Sequence, residues 1–270
     1  MTAEKRKFWT IGQIDATGVR GPHEKELGDI SKAKYHLFID FDVRLLEKIV
    51  REDLGGKVEN IGLSEDWTIT IDMFPEVTVH MAYSYFGNEF GDGIEAEFKF
   101  YFSGEYAIWV PGEDSATYID IVMDYIDRQI KGHSLFEKSY NKKTEMMKKV
   151  LAQRSKPFKL LKEKDKEKLE LFLGAKIWKT SNGWKIIRDI FPSIFTEIHF
   201  DNSKGLDISF SGDNLQKISN YHLEFLGIFT INHILRYITV NNLDKDLPDI
   251  CYIMFSRYFT KLKNWDHRTR

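Results

Sequence analysis

Few side chains in this chain of 270 residues are placed to do chemistry. Pro22-His23-Glu24-Lys25-Glu26 gathers an imidazole and two carboxylates, the beginnings of a metal site. A metal needs three or four converging ligands held by outer hydrogen bonds. A short Gly-bounded polar stretch does not supply them, so it reads as solvated and no metal is expected. Asp120 and Asp124 stand four apart, where a helix would pair them for chelation or proton sharing. With Asp127 they read instead as a charged outer helix face. His80 falls in an alternating run, opposite Val79 and Met81. That places it half-exposed on the outer face of a strand, or as one wall of a groove. Asn88-Glu89-Phe90-Gly91-Asp92-Gly93 forms an acidic turn between aromatic strands. Such a turn suits a cation, an amine or a basic protein segment, since binding residues favour loops on a rigid sheet. A plain hairpin turn is the competing reading. The candidate binding residues are therefore His80, Asn88, Glu89 and Asp92. Cys251, among Tyr252, Ile253 and Met254, reads as a buried thiol. There is no G-x-S-x-G elbow, P-loop or Rossmann glycine run, and no cofactor is expected.

The elements that carry these residues follow from periodicity. Trp67–Asp72, Val77–Phe86 and Ile94–Phe102 alternate apolar with polar, the signature of an antiparallel meander with one buried face. Tyr35–Phe41 and Tyr106–Val110 read as further short strands. Asp42 caps a helix carrying Val43, Leu46, Ile49 and Val50, which Gly55 and Gly56 end. Glu113, Asp114 and Ser115 open a helix whose Ile119, Val122, Met123, Ile126 and Ile130 form a core-facing stripe. Residues 1–33, polar and glycine-rich, read as an arm with one short strand near Phe8–Ile14.

The order then repeats. Leu54, Gly55, Lys57, Trp67, Phe74-Pro75 and Gly112 are matched by Leu173, Gly174, Lys176, Trp184, Phe191-Pro192 and Gly227. Trp to Phe is 7 residues in both (74−67 and 191−184). In the second copy a helix through Lys164–Leu173 precedes strands near Lys176–Lys179, Trp184–Asp189, Ile194–Phe200 and Leu206–Phe210. A helix carrying Ile228, Ile231, Ile234, Leu235 and Ile238 closes it. The fold class is α+β: an internal duplication, two antiparallel sheets each with helices on one face. The segments are an arm (1–33), a first repeat (34–132), a basic helical linker (133–162), a second repeat (163–242) and a C-terminal helix (243–270). That last helix has Pro248 in its first turn and Ile250, Met254, Tyr258 and Leu262 for packing.

Composition bounds the function. Residues 1–132 hold 25 acidic and 14 basic side chains, −11; the remainder holds 41−25 = 16 acidic and 39−14 = 25 basic, +9. The halves are expected to attract each other. The basic excess of Lys138–Lys168 lacks the interleaved aromatics of a single-strand binder, so nucleic acid is not the expected partner. One cysteine excludes an intrachain disulfide. With no apolar run of membrane-spanning length and no leader-like start, a cytoplasmic protein is expected.

Residues 54–127 resemble a domain-of-unknown-function family of anaerobic bacteria and archaea. The resemblance lies in Phe74-Pro75, the alternating strand, Asn88-Glu89-Phe90, the strand to Phe102, Tyr106 and the helix opening Glu113-Asp114. It implies an anaerobe's cytoplasmic protein and no particular activity. The function expected is a binding or accessory protein for a protein or small ligand, using a sheet face or an inter-repeat cleft. The alternative is an enzyme with carboxylate acid/base chemistry in the first repeat.

Overall fold

The computed structural model describes residues 6–14, 20–87, 95–132, 142–250, 252, 253, 256 and 257. The chain divides into two compact units, Met1–Ser134 and Leu135–Arg270. In the first, α1 (Ile11–Ile14), α2 (Arg20–Lys34) and α3 (Val43–Asp53) precede a four-stranded antiparallel sheet in the order β1 (Lys57–Glu59), β2 (Trp67–Phe74), β3 (Val77–Tyr85), β4 (Ala96–Ser103). The helix α4 (Gly112–Lys131) follows. In the second, α5 (Glu145–Arg154) and α6 (Lys166–Leu173) precede the sheet β5 (Ala175–Thr180), β6 (Gly183–Phe191), β7 (Ile194–Asp201), β8 (Gly205–Ser211) in the same order. The helix α7 (Asn220–Val240) follows.

The α+β class and the duplication hold down to register. Trp67 pairs with Tyr83 on β3, and Trp184 pairs with Phe200 on β7. Both sheets have an irregularity just before the Phe-Pro step, between Asp72 and Phe74 and between Asp189 and Phe191. Glu76 and Ser193, next after each proline, both have positive φ, 58° and 59°. Each hairpin's carbonyl then accepts from the chain leaving the fourth strand: Tyr106 N donates to Glu76 O, and Asn214 N to Ser193 O. Gly55 (φ 69°) follows α3 and Gly174 (φ 62°) follows α6. Both glycines take the left-handed conformation that stops a helix at low steric cost. The late glycines are not equivalent. Gly112 opens α4, whereas Gly227 lies inside α7, where an added Cβ would stand 2.4 Å from the Ile208 side chain. Their similar spacing is coincidence: β8 begins four residues after β7 ends (205−201), β4 eleven after β3 (96−85).

Inside the first unit, Ile69, Ile71, Val79, Met81, Phe100 and Phe102 are buried on one sheet face. Ile119, Val122, Met123 and Ile126 are buried on α4. Leu46, Ile49 and Val50 are buried on α3, capped by the Asp42 carboxylate accepting from Arg44 N, while Val43 is exposed. Four local expectations are corrected. The 1–33 arm does not carry a strand over Phe8–Ile14: it holds α1 and nearly all of α2, and among the described residues of the arm only Trp9 bridges the sheet, to Phe102. Glycines 21 and 28 lower the intrinsic propensity of α2, but Leu27 and Ile30 are buried and Ser31 accepts from Phe98 N. Tyr35–Phe38 is a 3-10 turn rather than a strand, because Phe38 enters an aromatic cluster with Trp67, Tyr83 and Phe98. Ala107–Trp109 is likewise a 3-10 turn, since Gly104 (φ 104°) reverses the chain. Tyr85, which alternation puts with Tyr83 in the core, is 52% exposed.

The acidic side of α4 is not simply solvated. Lys34 on α2 donates to Asp124 (2.6 Å) and to Asp127 (3.1 Å), tying the two helices. Burial alone would lower the Lys34 pKa, but these two carboxylates raise it above the ordinary value. Before β2, Glu65 folds into its own loop. It accepts from the backbone N–H of Ile61 (2.5 Å), Gly62 (3.2 Å) and Leu63 (2.6 Å). Burial pushes its carboxyl up, and the backbone donors outweigh that and hold it below the usual glutamate value. Glu65→Ala is expected to cost about 2 kcal/mol in chemical denaturation, because several backbone donors lose a charged acceptor together. An unchanged midpoint would show that water replaces the carboxylate.

In the second unit, the basic stretch read as a linker is part of the fold. Met147, Leu151 and Phe158 are buried. Thr144 N donates to the buried Glu224 at 2.7 Å, and Arg154 Nε to Asn232 at 2.9 Å. The stripe Ile228, Ile231, Ile234, Leu235 and Ile238 on α7 is buried as expected. Residues 248–250 are not helical; Tyr252 and Ile253 are helical and buried, and Cys251, Met254, Tyr258 and Leu262 lie outside the described residues.

Candidate functional site

Of the four candidate binding residues, Asn88, Glu89 and Asp92 lie outside the described residues. His80 is described, and it is not half-exposed: its exposure is 0%. The Phe8 ring meets the imidazole edge-on at 5.1 Å, a contact that no strand periodicity contains. Beneath it runs a hydrogen-bonded chain across the strands. His80 Nε2 meets Ser103 Oγ at 2.7 Å, and Nδ1 meets Thr70 Oγ1 at 2.9 Å. Thr70 in turn donates to the Glu59 carboxylate. Since a carboxylate only accepts, the direction is fixed. Nδ1 carries the proton toward Thr70, and Nε2 accepts from Ser103. Burial raises the Glu59 carboxyl, but Lys57, Thr70 and Arg6 outweigh it and keep the group ionised. The Arg6 guanidinium lies 3.1 Å from it and the Lys57 ammonium 2.8 Å.

Serine, base and carboxylate in sequence have the connectivity of a nucleophile relay. Access decides against that use: Ser103 is 4% exposed and His80 is closed over. The chain satisfies buried polar groups and pins β1, β2, β3 and β4 in register. His80 pKa is depressed to about 4, first by burial, then by the Arg6 charge, with Lys57 adding and Glu59 opposing. The ring is therefore neutral at pH 7.

The equivalent face of the second sheet is built differently. By register, His80 corresponds to Glu197 and Thr70 to Ile187. Glu197 accepts from Lys185 at 2.8 Å and meets His199 Nε2 at 2.5 Å. Lys185 first and His199 after it hold its carboxyl below the usual range. Beside this cluster lies an open groove of about 960 Å³, floored by Trp178, Ile187 and Phe195 and walled by Leu171. Leu171 is 78% exposed and Trp178 44%. Glu167, Glu170 and Asp189 rim it against one cation, Lys176. Periodicity puts these residues on strands and a helix, but bringing Leu171 beside Trp178 takes the α6–β5 turn at Gly174.

Among the described residues, no group of three or more His, Cys, Asp or Glu is placed to hold a metal ion. Nor is any helix among them long and apolar enough to cross a membrane. Comparison with protein-family models, curated proteins and solved structures finds no match.

Proposed function

We propose that the protein is a non-catalytic binding protein whose second sheet offers its outer face to an apolar peptide segment with basic flanks. One observation carries this reading: the divergence of the two copies on the same face. In the first sheet Thr68, Thr70, His80 and Ala82 are buried there. In the second, two large apolar side chains stay exposed beside a groove with an acidic rim. Solvent-exposed Leu and Trp adjoining one groove are a cost to a free protein that a partner removes. Tryptophan is also among the residues that carry most binding energy when desolvated.

The test is selection of displayed peptides on the full chain, with a Leu171→Asp/Trp178→Ala variant as the comparison. Both side chains are exposed, so the variant should melt with the parent. Enriched peptides should be apolar with Lys or Arg at their ends and should bind the variant at least roughly tenfold more weakly. Peptides that bind the melting-competent variant as tightly as the parent would remove the sheet face from consideration.

A further inference from the structure

A second concave surface in the Leu135–Arg270 unit has the opposite chemistry. Between α5, the 3-10 turn Lys156–Leu160 and the β7–β8 turn lies a groove of about 560 Å³. That volume is within the range of small-ligand sites. Five lysines line it, Lys143, Lys148, Lys156, Lys159 and Lys204, against one carboxylate, Asp207. They come from separate segments, and the fold brings them together.

The local geometry explains how. In a 3-10 turn residues three apart eclipse, so Lys156 and Lys159 project from one side. The turn is seated by the burial of Pro157 and Phe158. Across the groove, Gly205 (φ 87°) lets the β7–β8 turn approach α5 closely: an added Cβ would stand 2.7 Å from Ser155 Oγ. Ser155 Oγ accepts from Leu206 N at 3.0 Å, which leaves its own hydroxyl hydrogen to donate. The acidic member of the turn is occupied by the turn's own donors. Asp201 accepts from the Ser203 hydroxyl, then from Ser203 N and Lys204 N, and from Asn182 Nδ2, which together hold its carboxyl far below the usual range.

Charge balance within the groove is one-sided. Asp207 is held by Lys143 at 2.8 Å, and Lys148 has Glu145 at 2.7 Å. Lys156, Lys159 and Lys204 have no ion pair among the described residues. Three unpaired ammonium groups around one concavity repel one another, and an anion with several charges relieves that repulsion. No aromatic side chain lines the groove, so it has no platform for unpaired bases. Its size and the lack of aromatic side chains suit a compact anion better than a strand.

We propose that this groove binds a compact polyanion of the oligophosphate class, with Lys156, Lys159 and Lys204 as its charge contacts and Ser155 as a hydroxyl donor. The site stands apart from the apolar groove and does not depend on it. The experiment is titration calorimetry of the full chain with inorganic phosphate, pyrophosphate and triphosphate at two salt concentrations. Affinity should rise with charge in that order and fall as salt increases, since the contacts are ionic. Lys156→Glu/Lys159→Glu should weaken triphosphate by at least roughly tenfold. Lys48→Glu/Lys168→Glu, charge reversals outside both grooves, should leave it unchanged. If the groove variant fails to melt like the parent, Lys204→Gln replaces it. Absence of triphosphate binding, or equal loss in both double variants, overturns the proposal. So does tight binding of an oligothymidylate that excess triphosphate does not displace, which would make the surface a nucleic-acid interface.

Discussion

Gly212→Ala is expected to destabilise the second unit by about 3 kcal/mol or more, a larger loss than that of Glu65→Ala. Gly212 has φ 125°, a region that L side chains rarely adopt, and an added Cβ would lie 2.0 Å from Ser193 O and 2.7 Å from its carbonyl carbon. The obstruction is backbone, so no rotamer change relieves it, and the hairpin carbonyl that Asn214 N bonds must move. Gly104 repeats the geometry in the first unit, with φ 104° and a Cβ 2.2 Å from Glu76 O. Gly104→Ala should therefore loosen the first unit to a similar extent. Gly28 supplies the contrast. It sits within α2 with no atom within 4 Å of an added Cβ and no positive φ, so Gly28→Ala should stabilise by roughly 0.5–1 kcal/mol. Hydrogen exchange read peptide by peptide separates the two units. Protection in β6–β8 that survives Gly212→Ala would mean the hairpin does not require the observed backbone.

Acid should weaken the first unit well above the range where carboxylates protonate. His80 titrates at about 4 in the folded protein against an ordinary 6.5. Its folded pKa is depressed, so between those values the unfolded chain binds the extra proton. Stability is then full above about pH 6.5 and falls steadily as pH drops toward 4. The whole span amounts to about 3 kcal/mol. Protonation would charge a fully buried ring near the Arg6 and Lys57 cations, and it would remove the acceptor that Ser103 uses. His80→Gln retains amide hydrogen bonding to Thr70 and Ser103 without titrating in this range, so its urea midpoint should change less between pH 6.5 and 4.5. Exchange in β2–β4 peptides assigns the effect to this unit, because His233 in α7 is also held well below the ordinary value, by burial and then by Arg236 and Arg188. An equal pH slope in parent and His80→Gln would show that His80 is hydrated in solution.

Sequence periodicity alone determined β2 to β8 and the helix stripes, whereas the three-residue β1 carries no alternation to read, and Tyr35–Phe38 and Ala107–Trp109 form 3-10 turns instead of strands. Trp67-Thr-Ile-Thr-Ile-Asp72 alternates apolar with polar, and that alternation is local, although the structure buries Thr68 and Thr70 as well as Ile69 and Ile71. The Phe-Pro steps and the glycines after α3 and α6 are legible for the same reason: each answers a backbone demand at its own position. The duplication follows from those signals recurring in order, although the late glycines match only by count. Other features required the tertiary structure. The glycine-poor apolar stripe expected of a helix is missing from 20–34, and α2 forms because Leu27 and Ile30 are buried and Lys34 has two carboxylates to meet. Alternation puts His80 on the outer face, yet its burial depends on Phe8, 72 residues earlier (80−8), which no local pattern encodes. The five lysines of the basic groove are spread from 143 to 204, so their convergence exists only once α5 is packed against β8. Alternation says which way a side chain points from its strand; only packing of distant segments decides whether that side is open, closed or charged.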